Sequence, residues 1–214
     1  MALKPADVAA VKGKGFLRNR GTDLFSGRIV ARGTVYSAED LKNIAYIAEH
    51  YGNGKTFATS RLCIEIAGIP FEKIEECIAF AEEHNLYFGG TGAKIRPVTA
   101  CKGTTCVYGN FDTQGLAKKI YDEFFIGWKD AALPHKFKIG IGGCPNSCMK
   151  PSLNDVGIEG HAAPVIDLEK CRGCKVCAIS KACPMKSASL VDGKINIDSE
   201  TCLTCGVCSG KCPF

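Results

Sequence analysis

Cysteine spacing constrains this chain more than any other feature. It has fourteen cysteines in 214 residues, and twelve of them fall in short-spaced groups. One group runs Cys171, Cys174, Cys177 and then Cys183-Pro184; another runs Cys202, Cys205, Cys208 and then Cys212-Pro213. Both begin C-x2-C-x2-C, with five residues before the last cysteine in the first and three in the second. Two further pairs, Cys101-x4-Cys106 and Cys144-x3-Cys148, are separated by thirty-seven residues. From Val165 onward the chain is short and cysteine-dense, too small to hold a core by apolar burial alone, so an inorganic group is expected to hold it.

Composition decides which inorganic chemistry is in play. The start, MALKPADVAAVKGKGF, has no apolar h-region, so no secretory signal is expected and the reading is cytoplasmic. Disulfides do not persist in that compartment, which leaves metal binding or catalysis for clustered thiols. With 46% hydrophobic and 23% charged residues the chain reads as globular, and no apolar run is long enough for a membrane partner. A net charge of +5 from scattered basic residues predicts no nucleic-acid partner.

The second repeat has the spacing of bacterial two-cluster ferredoxins, C-x2-C-x2-C-x3-C-P. Three close thiolates hold three corners of one cubane, and the fourth cysteine reaches the other cluster. The expected sets are therefore Cys171, Cys174, Cys177 with Cys212, and Cys202, Cys205, Cys208 with Cys183, each holding a [4Fe–4S] cluster. A pair of zinc sites is the competing reading, since zinc also takes four thiolates. The tandem Cys-Pro endings favour iron–sulfur.

The rest of the chain reads as α+β. Residues 1–22 are rich in Lys, Gly and Arg and are expected as an arm or loop. A strand is expected over Arg28–Val35, then a helix opened by Ser37 and Asp40 in a capping-box pattern, with Leu41, Ile44, Ala45 and Ala48 on one face. YGNG ends it, Thr56–Ile69 supplies one or two strands, and Pro70 begins a helix with Ile74, Cys77, Ile78 and Ala81 inward. That order predicts a small sandwich with both helices on one face of the sheet. In the next segment a helical stretch near Leu116–Phe125 and a strand at Lys136–Ile141 lie between the cysteine pairs. Gly54-Lys55-Thr56 is a turn and no phosphate loop, because Glu49 stands where that motif needs its first glycine. Cys63 and Cys77 read as packed thiols; His135, beside Lys136, could help proton delivery but reads as a solvated loop histidine, and His50, His84 and His161 carry no site signal.

By spacing alone the pairs at Cys101–Cys106 and Cys144–Cys148 could bind zinc, a cluster or neither. Their surroundings, TACKGTTC and GGCPNSC, together with YSAEDLKNIAYIAEHYGNGKTFATSRLCIEIAGI, resemble the sulfite and nitrite reductases that couple a sirohaem to a [4Fe–4S] cluster. The likeness covers roughly residues 25–160, and the appended cysteine repeats fit the small anaerobic members. It implies an N-terminal arm (1–22), a ferredoxin-like half-domain (23–90), a sirohaem and [4Fe–4S] domain (91–164) and a two-cluster ferredoxin module (165–214). By the resemblance, Cys101, Cys106, Cys144 and Cys148 bind a third cluster, with Cys148 also ligating the sirohaem iron. The family spacing in the first pair is more often five residues than the four found here. The resemblance also implies cations for the sirohaem carboxylates and the substrate: Arg61, Arg96, Lys136 and Lys138, with Arg28 or Arg32 and Arg32 preferred. It further implies reduction of sulfite to sulfide with electrons from reduced ferredoxin or another low-potential donor. Because the repeated unit of full-length members occurs once here, a homodimer or larger assembly is expected. Nitrite as the substrate, or a haem-less three-cluster carrier, are the alternatives.

Overall fold

The computed structural model describes residues 3–214. Its N-terminal unit comprises helix α1 (Pro5–Gly13), strands β1 (Phe16–Arg18) and β2 (Leu24–Val30), helix α2 (Ala38–His50), strands β3 (Thr56–Ala58) and β4 (Ile64–Pro70), helix α3 (Ile74–Glu83) and the short strand β5 (Tyr87–Phe88). All pairings are antiparallel, in the order β1-β2-β4-β3, with β5 sharing the β1 edge of β2. Phe25 and Ile29 of β2, Ile66 and Ile69 of β4, Ile44, Ile47 and Ala48 of α2, and Ile74, Cys77 and Ala81 of α3 form one core. The expected α+β sandwich is therefore present, and its stability rests on that apolar face.

Three local expectations shift. Residues 5–18 are not an arm: α1 packs Val11 into the core and β1 buries Phe16 completely. The strand expected at Arg28–Val35 starts earlier and stops at Val30, because Gly33 (φ +63°) and Thr34 (φ +66°) turn the chain left-handed into a 3-10 turn. Helix α2 begins where expected, and Ser37 and Asp40 make both capping-box bonds. Its buried face is Ile44, Ile47 and Ala48, whereas Leu41 and Ala45 face solvent.

The central unit is built on three parallel strands, β6 (Thr99–Ala100), β7 (Ile139–Gly142) and β8 (Val156–Glu159), in the order β6-β7-β8. Helix α4 (Thr113–Ile120), capped by Asp112, crosses from β6 to β7 and continues into a π-helical turn over Tyr121–Ile126. Val98, Ala100, Ala117, Ile139 and Ile141 form its core. Val30 and Cys63 of the first unit pack against Tyr121 and Phe125 of this turn, which joins the two units. The C-terminal module has a one-turn helix α5 (Ala178–Ala182) and a hairpin of β9 (Ala188–Val191) and β10 (Lys194–Ile197). Asp192 and Gly193, both at positive φ, form its two-residue turn. No helix among the described residues is long and apolar enough to cross a membrane.

Candidate functional site

Parallel pairing brings the central cysteines to one edge. Cys101 follows β6 and Cys144 follows β7 by two residues, so both leave the sheet at its C-terminal end. The Cys101 N–H donates to the Ile141 carbonyl at 3.0 Å, and the Gly143 N–H donates to Cys101 Sγ at 3.1 Å. A 3-10 turn at Gly103–Thr105 carries the chain to Cys106, and Thr113 Oγ1 secures it by donating to the Cys101 carbonyl at 2.8 Å. Glycine is required here: a Cβ on Gly103 would stand 3.1 Å from Gly143 Cα, and one on Gly109 would stand 1.9 Å from the Gly103 carbonyl oxygen. This close packing accommodates the four-residue spacing of Cys101 and Cys106. Cys144 is buried, Cys101 and Cys106 are half-buried and Cys148 is exposed. Ser147 and Lys150, either side of Cys148, are held at φ +51° and +45°, sparsely populated backbone of the kind found at ligand-binding loops.

In the C-terminal module Cys171, Cys174, Cys177 and Cys212 line a cavity of about 590 Å³. Cys183, Cys202, Cys205 and Cys208 line a smaller one beside it, with Cys208 on the shared wall. Among the described residues no three His, Cys, Asp or Glu side chains gather tightly enough to share a single metal ion. Backbone donors favour thiolates: the Gly173 and Ile195 N–H groups lower the Cys171 pKa, and that of Ser180 lowers Cys177. Burial pulls Cys183 upward, but the N–H groups of Ala188, Met185 and Ser187 outweigh it and the net shift is down. Cys208 is raised, first by burial and then by the neighbouring charges of Cys202, Cys205 and Cys183. Two sets of four sulfurs, with backbone N–H groups aimed at Cys171, Cys177, Cys183 and Cys202, fit cubane clusters.

The cations divide unequally. Arg28 on β2 pairs across the sheet with Glu65 on β4, its register partner, and its Nη1 donates to the Gly90 carbonyl at 3.0 Å. Arg96 donates to the same carbonyl, and its Nε is buried without a partner. Burial, and then the charge of Arg28, lower the Arg96 pKa. This pair of guanidiniums with an orphaned donor suits a carboxylate-rich ligand. Arg61 is spent differently. It donates from Nε to the Pro97 carbonyl at 3.0 Å, from Nη1 to Asn154 Oδ1 at 3.0 Å and from Nη2 to the Ile139 carbonyl at 3.2 Å. It thus straps the N-terminal unit to the start of β7 and to the loop after Cys148. Arg32, preferred over Arg28 from the sequence, instead makes an exposed bidentate pair with Asp122 at 2.8 and 2.7 Å. The structure brings Arg28, and not Arg32, to Arg96. Lys136 and Lys138 flank Phe137 ahead of β7 instead of lying within it; Lys136 is exposed, and the Lys138 N–H donates to Asp155 at 2.7 Å.

Asn154 and Asp155, which hold Arg61 and Lys138, escaped the sequence reading; the only signal was an Asn-Asp pair immediately before a strand. Cys63 and Cys77 are packed thiols, 1% and 0% exposed, raised to about 11 and about 12 chiefly by burial.

Residues 91–203 match the family described as the nitrite and sulphite reductase 4Fe-4S domain, and residues 18–84 match the nitrite/sulfite reductase ferredoxin-like half domain. Coenzyme F420-dependent sulfite reductase of Methanocaldococcus jannaschii is 40% identical over 144 residues, 67% of this chain and 22% of that protein. A subunit of the anaerobic sulfite reductase of Salmonella typhimurium is 31% identical over 181 residues, covering 77% of this chain and 50% of that one. The chain thus spans half or less of these two relatives. The crystal structure of dissimilatory sulfite reductase I (DsrI) superposes with a TM-score of 0.64 at 22% identity, over 86% of this chain and 49% of that one, a likeness of fold.

Proposed function

From the premise that this chain belongs to the nitrite and sulphite reductase family, we propose that it is a sirohaem-dependent sulfite reductase fed by its own two-cluster ferredoxin module. The observation that carries the reading is the orphaned Arg96 Nε beside Arg28, on the segment that leads through β6 into Cys101. An electron carrier has no use for a guanidinium N–H buried without an acceptor; a cofactor with many carboxylates does.

The proposed assignment is residue by residue. Cys101, Cys106, Cys144 and Cys148 hold one [4Fe–4S] cluster, and the two module sets hold two more. Arg28, Arg96, Lys136 and Lys138 would hold a sirohaem, with Cys148 toward its iron; when bound, that group supplies the six-electron chemistry that turns sulfite into sulfide. The chain's own residues do the rest. Guanidinium and ammonium groups draw the small dianion in and stabilise charge on its oxygens, and lysine Nζ lends protons as those oxygens leave as water. Arg61 keeps the Cys148 loop in register with the N-terminal unit, and is a positioning residue in this scheme. Arg32 serves the Asp122 pair. The domain limits 23–90, 91–164 and 165–214, a cytoplasmic location and a homodimer that completes the site belong to the same proposal.

The test is an anaerobic preparation from a host able to make sirohaem. An iron count of about thirteen per chain, an extractable tetrapyrrole and visible bands that shift with sulfite are expected. About twelve irons and no tetrapyrrole would make the chain an electron carrier on an enzyme's fold.

A further inference from the structure

The two cavities of the C-terminal module are placed unequally. The inner one is tied to the rest of the chain. Ala162 forms a parallel bridge with Cys205 and donates its N–H to the Thr204 carbonyl at 2.7 Å. Asn110 lies against Gly206, where an added Cβ would stand 2.8 Å from its Oδ1, and its own N–H donates to the Gly143 carbonyl at 2.9 Å. The Cys183, Cys202, Cys205 and Cys208 set therefore adjoins the loops that carry Cys106 and Cys144. The Cys171 loop is held from within the module, by the Ile195 N–H on Cys171 Sγ at 3.5 Å and by Lys194 Nζ on the Leu168 carbonyl at 3.1 Å. Two of its set, Cys174 and Cys212, are exposed, whereas the inner four are half-buried.

The surface around the outer cavity is apolar and cationic together. Val165 is 97% exposed and Val176 67%, and both line that cavity beside the exposed thiols. Isolated exposed aliphatics are ordinary, but a group rimmed by charge around a redox centre marks a contact surface. Lys170 pairs with Asp167 at 3.0 Å, Arg172 stacks over the Phe214 ring at 4.4 Å, and Lys175 and Lys211 follow and precede Cys174 and Cys212 in sequence. Asp167 and Glu169 are the acids set against these four cations in the same stretches.

We infer that this outer face docks an acidic one-electron carrier protein, which delivers electrons to the Cys171, Cys174, Cys177 and Cys212 set. The inference rests on the cluster assignment proposed above. In each encounter the reduced carrier loses one electron and the outer cluster gains it, with no atom or proton transferred. The cations steer the approach, and the apolar residues exclude water from the contact. The relay order follows as outer set, inner set, then the Cys101–Cys148 set.

The test is stopped-flow reduction of the loaded protein by a reduced acidic flavodoxin, beside reduction by photoreduced deazaflavin, a small neutral reductant. The flavodoxin rate is expected to fall with rising salt and to drop about tenfold in the double variant Val165→Glu with Lys170→Glu, both residues of the outer cavity's lining. The deazaflavin rate, the iron count and the affinity for a positively charged carrier should not fall. A salt-independent flavodoxin rate, or an unchanged rate in the variant, overturns the inference. So does a variant whose only effect is to dissociate an oligomer in sedimentation, which would make the face a contact with a second copy. Should the variant lose iron, the salt dependence of the unaltered protein decides. The iron count and tetrapyrrole extraction report on the functional reading independently, so its failure is distinguishable from failure of the docking face.

Discussion

The N-terminal unit buries Phe16, Phe25, Ile29, Ile47, Ile66, Ile69 and Cys77 to zero exposure, whereas residues 165–214 bury only Ser187, Ala188 and Ile195. One region is held by side chains that leave water, each contributing roughly 1.5–3 kcal/mol. The other has a two-strand hairpin, a one-turn helix and eight cysteines around two cavities. A hairpin of that size is marginal in water. Residues 165–214 lack an apolar core able to hold them, so the clusters proposed for the module would serve its folding as well as electron transfer, while the N-terminal unit is held by its own apolar core.

Removing iron should separate the two regions most. Anaerobic chelation should abolish amide protection over Ala188–Ile197 and leave Ile44–Ala48 and Ile64–Ile69 protected in hydrogen exchange. Equal loss in both regions would contradict the division. Next in size is Ile47→Ala, which opens a cavity among fully buried neighbours and should cost about 2–5 kcal/mol by denaturant unfolding. The same experiment on Ile195→Ala should move the stability of the iron-loaded protein much less.

Arg61→Ala tests the strap between the units. Two carbonyls and Asn154 lose their donors, so a loss of about 1–3 kcal/mol is expected, with Arg61→Lys restoring little because an ammonium cannot span three separated acceptors. A smaller effect is confined to alkaline solution. Burial raises the Cys77 thiol to about 12 from an ordinary 9.0, so the folded state holds that proton more tightly than the unfolded chain. Stability is then fully present below pH 9 and declines as pH rises toward 12, and Cys77→Ala should flatten that decline in the N-terminal unit. Smallest is Ser37→Ala, which removes the capping box of α2 for about 1 kcal/mol, read as a shift in thermal midpoint.

What could be read from the sequence was local. The start of α2 was legible because Ser37 and Asp40 satisfy each other's backbone within one turn. The grouping of Cys183 with Cys202, Cys205 and Cys208 around one cavity follows from a spacing rule that needs no knowledge of the rest of the fold. What could not be read was long-range. Helix α1 has a weak apolar stripe and is anchored through Val11, and the Lys- and Gly-rich VKGKG in which it ends resembles a loop. Choosing between Arg28 and Arg32 required the register that sets Arg28 against Glu65 and the positive φ of Gly33 that turns Arg32 toward Asp122. The use of Arg61 depended on three acceptors distant in sequence, which no local pattern reveals.

Sulfite reduction by this chain is read out by incubating the anaerobically purified, iron-complete protein with sulfite and a small low-potential reductant, and measuring sulfide against electrons consumed. Sulfide at six electrons per sulfite, abolished in Cys148→Ala with the module's clusters intact, is the predicted result. A protein that carries all its clusters and an extractable sirohaem yet yields no sulfide would contradict it.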